Sequence, residues 1–125
     1  MKLGIDLTDI KRIQKLLSRN DINALNRIWT TGELEEAKDK NGGFIAETLA
    51  AGFACKEAVA KALGTGFGPH GVTASQIEIL HEKSGRPYVI LSGNTLDYFN
   101  NQGYTSIEVS LTHTDSAAAA VCIIF

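Results

Sequence analysis

The sequence predicts an α+β fold. An alternating strand opens the chain, a long alanine-rich helical pattern spans residues 44–63, and strand-like segments crowd the second half. A mostly antiparallel sheet packed on the alanine-rich helix is the expected architecture. With 125 residues, the chain is expected to make one domain, residues 1–125, long enough for a hydrophobic core and too short for two. Its 44% apolar and 21% charged residues match an ordinary globular protein and argue against disordered and fibrous classes.

"LGIDLT" sets Leu3, Ile5 and Leu7 against Gly4, Asp6 and Thr8, the period of a half-buried strand. Asp9 then stands at an N-cap position, and Ile10, Ile13 and Leu17 recur at helical spacing. The other side of that helix carries Lys11, Arg12, Lys15 and Arg19 without an acid among them. A short helical or irregular piece follows at 21–28. "TTGELEEAKDK" opens with Thr30 and Glu33 in capping-box spacing and reads as a polar surface helix, broken by "NGG" at 41–43. The helical pattern from Phe44 to Leu63 ends at Gly64, the residue type that most often follows a helix. Its small residues Ala50, Ala51, Gly52, Ala54, Ala58 and Ala62 predict a close neighbour, most simply a sheet. "GTGFGPHG" is a loop. "QIEILH", "PYVILS" and "SIEVSLTH" are strands, the first two joined by a "KSGR" turn, with a helix around "NTLDYFNNQG" before the third. "SLTHTDSAAAAVCIIF" closes the chain as a hairpin with an almost wholly apolar last strand.

A net charge of −2 argues against general nucleic-acid binding. The distribution is uneven: residues 1–29 hold six Lys/Arg against three Asp, whereas the remainder holds six Lys/Arg against eleven Asp/Glu. A basic first quarter on an acidic protein suggests an acidic partner there. The longest apolar run, "AAAAVCIIF", is about half of a membrane-spanning helix. No apolar signal segment follows Lys2, and Cys55 and Cys122 fit no zinc or redox spacing, so two reduced thiols and a cytoplasmic location are expected.

"GTGFG" fails as a dinucleotide fingerprint because it follows a helix rather than opening one after a strand, and no Walker sequence is present. Glu57 and Lys61, at i and i+4, read as a surface ion pair by spacing alone; their alanine neighbours favour a shielded pair in need of a ligand. Asp6, a carboxylate on an inner strand face, makes the same demand. Two carboxylates and a lysine form a plausible divalent-metal and phosphate site, although spacing does not show that they meet. His113 reads either as a hairpin-end residue or as a site residue, and His70 and His81 fit no ligand spacing with it. Trp29 and Phe44 read as core or staple residues. The basic stripe is a solvated face or a docking surface with equal justification.

In this order and spacing, "GIDLTDIKRI", "IWTTGELEEA", "FACKEAVAKALGTG", "GRPYVILSG" and "SLTHTDSAAAAVCIIF" resemble the holo-acyl-carrier-protein synthase family of 4′-phosphopantetheinyl transferases over nearly the whole chain. The resemblance implies transfer of the phosphopantetheine arm of coenzyme A to a serine of apo acyl carrier protein, releasing adenosine 3′,5′-bisphosphate, within fatty-acid biosynthesis. It implies Asp6 and Glu57 as ligands of Mg²⁺ (or Mn²⁺), Lys61 as the phosphate contact, and Glu57 or a water it orients as the base. It further implies Gly64, Gly66 and His113 beside the coenzyme. Arg12 falls on a family position that docks the carrier protein, in agreement with the basic stripe through Lys15 and Arg19. Stand-alone members of the family look like homotrimers with shared active sites, and the apolar last strand is compatible with that. Many relatives carry an arginine before the phenylalanine of "FACKEA"; here that position is Gly52, which implies a missing cation if the arginine holds a coenzyme phosphate. The alternative functions are a non-catalytic carrier-protein-binding module of the same fold and a Mg²⁺-dependent nucleotide phosphatase.

Overall fold

In the computed structural model, which describes residues 1–125, the first strand and the alanine-rich helix meet backbone to backbone. The elements run Lys2–Asp9 (β1), Ile10–Ser18 (α1), Ile22–Asn26 (α2), Thr31–Glu36 (α3), Ala46–Leu63 (α4), Ile77–His81 (β2), Pro87–Leu91 (β3), Gly93–Asn101 (α5), Ile107–His113 (β4) and Ala117–Ile124 (β5). Short 3₁₀ turns lie at Pro69–Gly71 and Ala74–Gln76. The expected α+β architecture is present with one difference: the strands form two antiparallel sheets, β1-β5-β4 and β2-β3. β3 lies beside β4 without a hydrogen-bonded ladder.

α4 is the axis of the molecule. Its first half, through Leu49, Ala50 and Phe53, packs with Ile10, Ile13, Leu25 and Leu34 from the three preceding helices and with Trp29 from the turn between α2 and α3. Its second half, from Ala54 to Leu63, packs with Val72, Ile77, Ile79, Phe99, Cys122 and Ile124. The small residues predicted to admit a sheet do so: a Cβ on Gly4 would stand 1.9 Å from the Ala58 carbonyl oxygen. Only glycine permits that approach. The helix begins at Ala46 rather than Phe44, because Phe44 forms an isolated bridge with Lys38. It ends as expected at Gly64, which takes a left-handed φ of 81°.

Close packing decides which face of β1 turns inward. Gly4 and Thr8 are buried and Asp6 is half-buried, whereas Leu3, Ile5 and Leu7 are 65–70% exposed. The alternation is as read, but the leucine face points away from the chain's own helix, since leucines could not fit where Gly4 meets Ala58. The surplus apolar surface therefore lies mainly on β1. In register with Leu3, Ile5 and Leu7 on the same sheet face are Ile123, Val121 and Ala119 of β5, all half-buried.

Two local expectations need correction. Asp9 occupies the N-cap position of α1 but its side chain makes no cap bond; the Ile10 N–H instead donates to the Ser116 carbonyl at 2.9 Å. α3 has the predicted capping box, yet it is not a polar surface helix, since Glu33 and Leu34 are buried.

Candidate active site

The β1–α4 contact brings three of the predicted site residues together. Lys61 Nζ donates to Asp6 Oδ1 at 3.1 Å and to the Ile5 carbonyl at 3.0 Å, and Thr8 Oγ1 donates to Asp6 Oδ2 at 3.0 Å. Lys61 thus pairs with Asp6, fifty-five residues away, and the i, i+4 pair with Glu57 does not form. Glu57 lies near enough to feel the others. Burial, then the charge of Asp6, pushes its carboxyl above the usual glutamate range, while Lys61 and Arg12 pull it down.

Asp6 and Glu57 repel each other on neighbouring elements, and no group of three or more His, Cys, Asp or Glu side chains converges anywhere. Two hard carboxylates without further protein ligands suit a cation that keeps waters and substrate oxygens in its remaining positions. The donor set therefore fits Mg²⁺ or Mn²⁺ and fits neither zinc nor a soft metal.

The charge hidden among the alanines is Lys56, not the Glu57–Lys61 pair. Lys56 is fully buried, whereas the Lys61 side chain is 53% exposed. Lys56 Nζ donates to Glu33 Oε1 at 2.7 Å, to the Ala74 carbonyl at 2.9 Å and to the Ile77 carbonyl. Glu33 in turn accepts from the N–H groups of Thr30 and Ile79. Burial pulls the Lys56 ammonium below the ordinary lysine range, against the opposing pull of Glu33. This network ties α3, α4 and β2 together one residue before Glu57, so it sets the rotation of α4. A lysine directly after Ala54 and Cys55 was the available signal in the sequence. Thr8 was missed as well, although the strand alternation already set it on the face of Asp6.

Gly64 and Gly66 reverse the chain at the end of α4, both with positive φ. The N–H groups of Gly64, Thr65 and Gly66 donate to the Lys61 and Ala60 carbonyls, at 3.0 to 3.3 Å. They are not free for a phosphate; what the turn offers is space beside Lys61. His113 ends β4 opposite Ala118, which pairs with Thr8 on its other side. It therefore shares a sheet face with Asp6, but is about 10 Å from the Thr8 strand by ordinary strand spacing. The structure does not bring it to Asp6 within one chain.

A groove of about 900 Å³ runs along α1 and is lined by Lys11, Arg12, Lys15 and Arg19, with Ile28 and Phe53 among its apolar residues. The Arg12 guanidinium lies 5.2 Å over the Phe53 ring and is among the charges acting on Glu57. The basic surface and the carboxylate pair are thus adjacent. Gly52 faces elsewhere. A Cβ there would meet only Trp29 Nε1, at 3.9 Å, and the hollow beside it is lined by Glu36, Thr48 and His81. Nine residues at about 100° each separate Gly52 from Lys61 by half a turn of helix. An arginine at this position would point away from the chain's own Asp6–Lys61 contact.

The family model of the 4′-phosphopantetheinyl transferase superfamily matches residues 2–122. The chain belongs to that superfamily. The expected enzyme class, a phosphopantetheinyl transferase, stands. The chain is 43% identical over 122 residues to a holo-(acyl-carrier-protein) synthase of Treponema denticola, covering 98% of this chain and 95% of that protein. Its fold is similar to the Helicobacter pylori holo-(acyl-carrier-protein) synthase in complex with coenzyme A, with a TM-score of 0.83, 32% identity, and 98% and 99% of the two chains covered. It is likewise similar to the Neisseria meningitidis enzyme of the same name, with a TM-score of 0.85, 29% identity and coverage of 99% and 97%. No helix is long and apolar enough to cross a membrane.

Proposed function

We propose that this protein, as one transferase domain over residues 1–125, is a cytoplasmic holo-acyl-carrier-protein synthase of fatty-acid biosynthesis. It moves 4′-phosphopantetheine from coenzyme A to a serine of apo acyl carrier protein. The observation that carries the reading is the meeting of Asp6, Lys61 and Glu57 at the β1–α4 contact, beside a basic groove. Asp6 and Glu57 hold the divalent cation, which when bound offsets negative charge on the coenzyme pyrophosphate.

The serine oxygen attacks the phosphorus on the pantetheine side of the pyrophosphate. A new P–O bond forms, the bridging P–O bond breaks, and adenosine 3′,5′-bisphosphate leaves with the electron pair. Lys61 contacts the phosphates and stabilises the charge on the leaving group. Glu57, directly or through a water it orients, accepts the serine proton. The open turn at Gly64 and Gly66 gives the coenzyme room beside Lys61. Arg12, Lys15 and Arg19 dock the acidic carrier protein, with Arg12 held over Phe53 between groove and site.

The same reading assigns the exposed Leu3, Ile5 and Leu7 face to contacts within a homotrimer. His113, remote from Asp6 within its own chain, then contributes to a site shared between subunits.

The test is the intact mass of apo acyl carrier protein after incubation with this protein, coenzyme A and Mg²⁺. A gain of one phosphopantetheine, abolished by EDTA and by Glu57→Gln, is expected. No gain with several carrier proteins would overturn the reading. Carrier binding without transfer would identify a docking module instead.

A further inference from the structure

Both carboxylate oxygens of Asp6 are engaged, and the two engagements differ in kind. Thr8 Oγ1 holds Oδ2 at 3.0 Å from two residues along the same strand face, and Thr8 is buried. The donor of that bond is local and uncharged, so it brings no positive charge to the carboxylate. Lys61 holds Oδ1 from another element at 3.1 Å, through a long side chain that is 53% exposed. Its ammonium also spans to the Ile5 carbonyl at 3.0 Å. Held this way, Lys61 is folded back onto β1, with two of its three donors engaged by the strand.

Oδ1 is the Asp6 oxygen that Thr8 does not hold, and a divalent cation bound there would meet the Lys61 ammonium. Two cations on one carboxylate oxygen repel each other more strongly than an exposed ion pair attracts. We propose that Lys61 and the divalent cation are rivals for Asp6 Oδ1, so that loading the cation drives the Lys61 ammonium off β1 and makes it available to the phosphates. Thr8 is the positioning residue of the exchange: it keeps Oδ2 in place while Oδ1 changes partner. The order of assembly follows, with the cation before the anionic ligand. This proposal rests on reading Asp6 and Glu57 as cation-holding residues, and the experiment separates the two.

Mn²⁺ binding is measured without coenzyme A, by the electron paramagnetic resonance of free Mn²⁺, on the wild-type protein and on Lys61→Met, Lys61→Arg and Asp6→Asn. Lys61→Met is expected to bind Mn²⁺ about threefold to tenfold more tightly, from the loss of a competing charge at an exposed pair. Lys61→Arg is expected to stay near wild type, and Asp6→Asn to lose the site. In parallel, Lys61 is labelled with an amine-reactive ester and followed by peptide mass, with and without Mg²⁺. Faster labelling of Lys61 with Mg²⁺, in wild type and not in Asp6→Asn, is the signature of displacement. If Mn²⁺ binding needs Asp6 yet Lys61→Met leaves affinity unchanged and Mg²⁺ leaves labelling unchanged, the rivalry is overturned and the site reading stands. If Asp6→Asn binds Mn²⁺ like wild type, the site reading fails and the proposal falls with it.

Discussion

One substitution, glycine to alanine, should have opposite signs at two positions of the same packed core. At Gly4 the added Cβ would stand 1.9 Å from the Ala58 carbonyl oxygen, 2.8 Å from Ala62 N and 2.9 Å from the Ala58 carbonyl carbon. Ordinary contact begins at 3.4 Å, so β1 and α4 must part by about 1.5 Å. All three obstructing atoms are backbone, which no side-chain rotation relieves. Overpacking of this kind costs about 1–3 kcal/mol where side chains can adjust, and Gly4→Ala belongs at or beyond the upper end. The same separation would carry Asp6 on β1 away from Glu57 on α4, so that the two carboxylates no longer face one cation. At Gly52 the new Cβ meets only Trp29 Nε1, at 3.9 Å, and the helical backbone is ordinary there. Gly52→Ala should stabilise the protein by roughly 0.5–1 kcal/mol through helix propensity. Urea unfolding read from Trp29, the single tryptophan and a buried one, measures both. Loss of Mn²⁺ binding in Gly4→Ala alone checks the link to the site. A Gly4→Ala protein within about 1 kcal/mol of wild type, or one that keeps full Mn²⁺ affinity, would refute the claim that backbone contact at this position builds the site.

Other expectations follow from the same packing. Lys56→Met or Glu33→Gln should each destabilise the fold by about 3–5 kcal/mol in the same urea assay, because each leaves buried polar partners unmatched. Cys55 and Cys122, both fully buried, are pushed by burial from 9.0 up to about 12, so the folded state keeps protons that the unfolded state releases. Their contribution to stability is whole below pH 9 and is lost as pH rises towards 12, at about 1.4 kcal/mol per pH unit for each thiol. Lys56, its ammonium lowered by burial, acts in the opposite direction below the ordinary lysine value of 10.5. Cys122→Ala should flatten the alkaline loss in denaturant titrations, and an unchanged slope would contradict the burial argument. Ile5→Asp, on the exposed face of β1, should reduce a trimer to monomers in light scattering while the monomer stays folded; equal masses would remove that face from the assembly.

The sequence alone determined the element order, the capping box at Thr30, the turn at Gly64 that ends α4, and the terminal hairpin. These are local: each depends on residues within a turn or two of one another, and periodicity and backbone preference suffice. It also singled out Asp6, Glu57 and Lys61, because charges among apolar or small residues stand out in any reading. Their partnership was not legible. Lys61 sits four residues from Glu57, yet pairs with Asp6 across the whole first half of the chain, which needs the close backbone approach at Gly4 to be possible. The same approach turned the Leu3–Ile5–Leu7 face outward, since alternation reveals two faces and only the neighbour decides which one it accepts. Burial of Lys56 was hidden for a similar reason: α4 is covered on nearly every side, so no polar stripe in its sequence marks the inward face. Gly52 reads as a lost cation in the sequence, but the rotation of α4, set by Lys56 and Glu33, aims that position at Trp29 and away from Asp6. Helical and strand periods are written along the chain, whereas closeness between chain segments is decided by the volumes that meet there.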